Sequence, residues 1–583
     1  MEGAAAVVGI ITAAGQSFSA CVQAFEFFNT AQHIGPDGDL FRTGLEFEKY
    51  RLISWACRVG IDRDSRRSAL NWEVAKLLLN QLELFLTSAD RLKTRYALEV
   101  SEEQVQEIEK LRALEPPKQG IGKLIARLKP NIYNTSAQII QANNSPIKRL
   151  LWATRDKEKL KKIINEIAGL IDKLEHLLDD AERLSERAEY TKLLREVISL
   201  TSTTSEARQI EELVRNVHQE NTDDMAIEAA AYVKQIRLVV GMDKREDEVK
   251  PTTPQETLGL SIKPLNVLKR SLTSWKGEGE SLRYLGLEFA SYNQRQVLIQ
   301  WKTVDSLHWD IYKGQMKSLA LLLASFRDDS FHSLPCKGYY PMRSRAIHGI
   351  VYEMPDNDTD WTFKTLKDLI SEQPHVSLGR RTEIARMIAQ TVLQLHTAGW
   401  MHKSLRPENI IFLAPRGSSN ILFLKSEPII VGYDYARADN EHSAAAYTQR
   451  PDTDVDADLY RHLKTRGDNR ETYQKRFDLY SLGCLILELA CWRILQSIFS
   501  TFVTEGLADT IEDARKHNSV LDLPTMDDIL KNEEAVAYIE HNGGTKIREI
   551  ISLCCSIPKA GEDEEGLLKE QVAVVRELEW CRM

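Results

Sequence analysis

Between Leu160 and Leu178, the aliphatic residues Leu160, Ile163, Ile164, Ile167, Leu170, Ile171, Leu174, Leu177 and Leu178 recur at near-heptad spacing over a Lys- and Glu-rich background. On a helix they form one apolar stripe, and a stripe of that length has to be covered by other helices. The chain supplies them. Asn71 to Leu92 sets Leu78, Leu82, Phe85, Leu86 and Ala89 on one helical face, and Leu45 to Ile61 does the same with Leu45, Leu52, Trp55 and Val59. A turn cluster, Gly35-Pro36-Asp37-Gly38-Asp39, separates these from an opening run, Gly3 to Phe25, that has no charged residue. The fold expected over residues 1–200 is an all-α helical bundle.

The opening run is long enough to cross a bilayer, for which about 20 residues suffice. It contains no leucine, however, and includes Thr12, Gln16, Ser17, Ser19 and Gln23, so its hydrophobicity is marginal for a permanent span. At rest it is expected to be the buried first helix of the bundle. Glu26 closes the run, either as a surface carboxylate or as a charge that resists burial in lipid. Lys157, Lys159, Lys161 and Lys162 can face phosphate headgroups or form an ordinary solvated face, since Asp156, Glu158 and Glu166 lie among them.

The opening helix, Cys21 to Glu26, His33 to Asp37, Arg51-Leu52-Ile53-Ser54-Trp55 and Trp152 to Lys157 together resemble the HeLo domain of fungal incompatibility proteins, also called prion-inhibition and propagation. The resemblance covers roughly residues 1–200, with Ala56 standing where glycine is expected. It implies a lytic activity in which the first helix leaves the bundle on triggering and inserts in a membrane. Val7, Val8, Ile10, Ile11, Phe18, Val22 and Phe25 are then the insertion residues. A segment tolerated in two environments suits such a switch.

Residues 201–257 read as a helical connector and linker. Thr201 to Ser205 is polar, helical stretches follow with Ile210, Leu213, Val214 and Val217 and then Ile227 to Val240, and Asp243 to Pro254 is charged and carries prolines. With 583 residues, 43% apolar and 28% charged, the chain has room for a second large domain. A net charge of -9 argues against a general nucleic-acid binder, so no nucleic acid is expected among its partners. The eight cysteines show no paired metal-ligand spacing and are expected to be reduced and mostly buried, including the adjacent Cys554 and Cys555. No secretory signal is apparent at Met1-Glu2, and the cytoplasm is the expected resting location.

From 258 to 583 three motifs fall in order. Trp400 to Phe412 contains His402, Ser404 and Asn409; Pro428 to Arg437 contains Gly432, Tyr433 and Asp434; and Phe477 to Leu489 contains Asp478, Ser481 and Gly483. They resemble the catalytic loop, the D-F-G segment and the D-x-[WY]-S-x-G helix of protein kinases, which implies an α+β bilobal domain. In that register Ser404 replaces the proton-accepting Asp and Gly432 the metal-binding Asp. Val297 to Lys302 resembles the strand of the phosphate-pairing lysine, with Lys302 either in that role or a solvated strand residue. Tyr284 to Tyr292 stands at the glycine-rich loop with Gly286 alone, the helix around Gly314 to Phe326 offers no glutamate, and Ile350 to Pro355 reads as the strand entering the hinge. Lys302 and Asn409 are the candidate nucleotide contacts and ATP the candidate cofactor; no catalytic residue and no metal are expected, because a serine is a poor base and the acids that serve magnesium are missing.

The whole chain therefore reads as a multidomain signalling effector in which a pseudokinase restrains or triggers a membrane-active bundle. The partners expected are further copies of the chain, membrane lipids on activation with transfer to the plasma membrane, and an upstream protein or ligand at the C-terminal domain. Ser443, Tyr447, Thr448 and Thr453 lie on a polar loop analogous to an activation loop. Two alternatives stay open: a divergent kinase using Asp434 or Glu408, and a non-lytic oligomerising scaffold.

Overall fold

The computed structural model describes residues 2–29, 31–32, 38–61, 70–88, 150–151, 157–217, 222–242, 273–274, 286–304, 309–326, 328–433, 436–438, 455–466, 471–503, 511, 523–556 and 564–581. The chain divides into two compact units, Met1–Ala231 and Tyr232–Met583. The charged linker from Asp243, the possible activation-loop residues Ser443 to Thr453, and Asp434 lie outside the described residues.

In the first unit the uncharged run lies in a helix, α1 (Glu2–Asn29), followed by β1 (Ala31–Gln32), α2 (Gly38–Val59), α3 (Trp72–Thr87), β2 (Leu150–Leu151), α4 (Lys157–Glu175), α5 (Asp180–Leu200), α6 (Thr204–Val217) and the start of α7 (Thr222–Met242), which continues past Ala231. Asn71 caps α3 by accepting the N–H of Val74, and Asp179 and Glu182 form a reciprocal capping box at α5, so local chemistry fixes both starts. The stripe is buried at Ile163, Ile164, Ile167, Ile171 and Leu174 of α4 and at Leu178 just beyond its end, where it joins Phe18, Val22 and Phe25 of α1, Leu52 and Trp55 of α2, and Leu79, Leu82 and Leu86 of α3 in one core. A second core gathers Phe47 of α2, Leu194 and Val197 of α5, Ile210, Leu213 and Val214 of α6, and Ile227 and Ala231 of α7. Thus α6 and the start of α7, in the stretch expected to be connector, pack with the bundle, because their apolar positions need the same cover as α4.

The second unit begins with an antiparallel sheet in the order β3-β4-β5-β7-β6, built from β3 (Thr273–Ser274), β4 (Leu287–Tyr292), β5 (Arg295–Thr303), β6 (Cys336–Met342) and β7 (Ile347–Glu353). The stretch read as a glycine-poor loop is thus a strand from Leu287 on. β4 turns into β5 at Asn293 and Gln294, both at positive φ, the backbone of a tight hairpin. α8 (Trp309–Ala324) packs on β6 and β7. Helices then dominate: α9 (Leu378–Thr397) packs against α10 (Lys475–Cys491) and α12 (Glu564–Trp580), and α10 against α11 (Thr545–Cys555). A Cβ at Gly483 of α10 would lie 2.7 Å from the Cys555 sulfur, so glycine is what admits α11 this closely. All eight cysteines are free thiols; Cys554 and Cys555 are buried apolar positions, and burial pushes the Cys554 thiol up to about 12.

Candidate functional site

Asp478, at the first turn of α10, has no exposed surface and is a hub. Its carboxylate accepts the backbone N–H of His402 at 2.8 Å and of Lys403 at 2.8 Å, the Tyr473 hydroxyl at 2.8 Å and His396 Nε2 at 3.0 Å. Burial alone would raise its pKa, but the bond from His396, the electrostatic pull of the His396 and His402 rings and the Tyr473 hydroxyl outweigh it and hold it below the usual carboxylate value. The hub fixes the loop that leaves β9 (Trp400–Met401), and Lys403 is kept in the left-handed region at φ 66°.

His402 Nε2 donates to the Val431 carbonyl at 3.1 Å and Nδ1 accepts the Ser404 N–H at 3.3 Å, which sets a neutral tautomer. Its ring leans on Tyr433 with centroids 4.6 Å apart, Phe326 meets Tyr433 at 6.0 Å, and Phe331 stacks on Phe326 at 4.3 Å. A continuous column of rings therefore runs beside the loop.

The sequence-predicted positions Ser404, Asn409 and Gly432 do meet. Asn409 Nδ2 donates to the Ser404 carbonyl at 2.7 Å and hydroxyl at 3.0 Å, and the Asn409 carbonyl accepts the Val431 N–H at 2.9 Å. Gly432 follows at φ 84°, and a Cβ there would lie 2.4 Å from the Asn409 side chain. Left-handed backbone and lack of space both demand glycine. Gly432→Ala is expected to cost ~1–3 kcal/mol in this unit, read from the denaturant midpoint of the full chain.

Lys302 is a buried residue of β5, in register with His348 of β7. His348 stacks on Trp309 at 4.1 Å, and burial followed by the charges of Lys302 and Lys313 lowers its pKa to about 4. The side chain that reaches Gly432 is Gln300, two residues earlier on the same strand face: its Oε1 accepts the Gly432 N–H at 3.2 Å and the Tyr352 hydroxyl at 3.2 Å. Sequence reading passed over Gln300, although Val297-Leu298-Ile299-Gln300 aligns with V-A-I-K as well as the later lysine does. Glu408, an alternative acid, is held by Lys367 Nζ at 2.8 Å.

Gln300, Ser404, Asn409 and Gly432 are uncharged, and the Asn409 amide is engaged with Ser404. These residues do not fit a magnesium-bound phosphate, which needs anionic oxygen ligands.

In the first unit Ile11 is 5% exposed and Phe18, Val22 and Phe25 are fully buried, so four predicted insertion residues belong to the core; Ile10 is half-buried. The side chains of Val7 and Val8 lie outside the described residues. α1 is stitched to α3 by Ser17 Oγ donating to Asn80 Oδ1 at 2.6 Å and by Cys21 Sγ against the Leu79 carbonyl at 3.6 Å. No single helix among the described residues is long and apolar enough to cross a membrane. Lys162 is exposed, whereas Lys161 is half-buried.

The first unit is a helical bundle whose first helix is free of charge from Gly3 to Phe25 and sends Ile11, Phe18, Val22 and Phe25 into the core. Residues 5–239 match the HeLo family, described as prion-inhibition and propagation, and the chain therefore carries a HeLo domain followed by a region of helices and antiparallel sheets. It is similar to heterokaryon incompatibility protein S of Podospora anserina strain S, 28% identical over 174 residues that make up 29% of this chain and 57% of that protein. Heterokaryon incompatibility protein s of Podospora anserina is 27% identical over 174 residues, again 29% and 57% of the two chains. The match thus spans little over half the length of these relatives.

Proposed function

We propose that this chain is an incompatibility or cell-death signalling effector in which a catalytically inert, protein-kinase-like unit holds a membrane-active HeLo bundle in check. The observation that carries the reading is α1: a helix within a HeLo domain that is free of charge from Gly3 to Phe25, buried at Ile11, Phe18, Val22 and Phe25 and tied to α3 through Ser17 and Cys21. Its charge-free length is compatible with lipid once released. The similarity to heterokaryon incompatibility protein S supports the biological setting.

The kinase-like part rests on Asp478 anchoring the His402 and Lys403 amides, on the His402–Tyr433–Phe326 column, and on the sheet order β3-β4-β5-β7-β6 beside α8. Its inertness follows from Ser404 and Gly432 standing where two aspartates act in kinases. Lys302 and Asn409 remain the proposed contacts for any nucleotide. Activation by an upstream protein or ligand at this unit, self-association and transfer from cytoplasm to plasma membrane complete the reading. Incubation of the full chain with radiolabelled ATP and magnesium is expected to give no more transfer than Lys302→Ala; transfer above that background, lost in the variant, supports a divergent kinase instead.

A further inference from the structure

Where the two cores of the bundle meet, α2 buries a glutamate. Leu45, Leu52 and Trp55 of this helix enter one core and Phe47 the other, and Glu48 lies between them with no exposed surface. Glu48 Oε2 accepts Arg51 Nη1 at 3.1 Å, while its Oε1 has no hydrogen-bond partner among the described residues. Arg51 is shared. It also binds Glu175 of α4 in a forked pair at 2.8 and 2.9 Å and Asp172 of α4, and its guanidinium lies 5.8 Å from the ring of Tyr190 on α5. The charge of Asp224 on α7 also acts on Tyr190, and Asp224 is paired with Arg187 of α5 at 3.1 Å. One guanidinium thus answers three carboxylates on two helices.

We propose that this cluster is a protonation switch of the bundle: a proton on Glu48 lets α2, α4 and α5 pack tightly, and its loss loosens them. With Glu48 neutral, Arg51, Asp172 and Glu175 sum to one negative charge; with Glu48 ionised they sum to two, and the extra charge has no donor for Oε1. Burial, and after it the repulsion of Asp172 and Glu175 against the attraction of Arg51, raises the Glu48 pKa from 4.5 to about 7. The sign follows. A carboxyl whose folded pKa is raised contributes stability that is full below about 4.5 and lost as pH rises through about 7.

Hydrogen–deuterium exchange of the full chain between pH 5 and 8, corrected for intrinsic rates, tests this. Amides of α2 and α4 are expected to lose protection by about a hundredfold across that range in the wild type, tenfold for each of the two units of the Glu48 shift that lie above pH 5. In Glu48→Gln the loss disappears. Asp172→Asn, at a half-exposed position, removes one repelling charge and frees Arg51 for Glu48, so the wild-type midpoint should move to lower pH. Should Glu48→Gln fail to fold, the Asp172→Asn shift decides alone. A wild-type profile that is flat, or a midpoint unchanged in both variants, overturns the proposal.

Discussion

Asp478→Ala is expected to destabilise the second unit by ~3–5 kcal/mol, the usual result of emptying one side of a buried charged cluster. The carboxylate accepts four donors, and its removal strands two backbone N–H groups, His402 and Lys403, in a site without water access to Asp478. Lys403 then loses the backbone bond that helps to hold it at φ 66°. Tyr473→Phe, which removes one donor and leaves the acceptor, should cost only ~1 kcal/mol. Denaturant titration of the full chain gives the magnitudes, and exchange at 396–409 locates them. The lowered pKa adds a pH signature: Asp478 contributes stability above the ordinary carboxylate value near 3.8, and this is lost as pH falls through its lower folded value. The gap between wild type and Asp478→Ala should therefore narrow in acid.

The second large effect separates the folding of α1 from its proposed insertion. Phe18 is fully buried, and Phe18→Asp would place a carboxylate in the core; loss of the folded bundle is the expected result, seen by circular dichroism. Gly9 is exposed on the same helix, with nothing within 4 Å of a Cβ built there. Gly9→Asp should leave the bundle folded. A charge at the centre of a membrane helix costs ~2.5–3.5 kcal/mol, and Gly9 lies about a third of the way along the uncharged run, so release of a vesicle-trapped dye should fall severalfold. Leakage by Gly9→Asp at the wild-type rate, with the fold intact, would remove α1 from the mechanism.

The bundle was legible in the sequence because helical periodicity is a strong local signal: the stripe on α4 was read residue by residue, and six of its members are buried core. Asp478, His402 and Asn409 stand out through the resemblance of their motifs, and the structure joins Asp478 to the His402 amide and Asn409 to Ser404. Gln300 was not, since residues 300 and 302 share one face of β5 and parity cannot say which side chain reaches across to Gly432. The hairpin at Asn293–Gln294 is hidden for a different reason: glutamine at φ 67° is an unusual turn residue, and the stretch lacks the familiar Asn-Gly pair that marks such a turn. Nor could spacing reveal Glu48, whose i+3 partner Arg51 looks like an ordinary surface pair until α4 and α5 close over both.

Dye release from anionic liposomes by residues 1–242, compared with the full chain at equal concentration, addresses the central claim most directly. With folding confirmed by circular dichroism in each case, the fragment is predicted to leak and the full chain to leak at least tenfold less. A folded fragment that leaves vesicles intact, or a full chain as active as the fragment, would contradict restraint of a membrane-active bundle and favour a non-lytic scaffold.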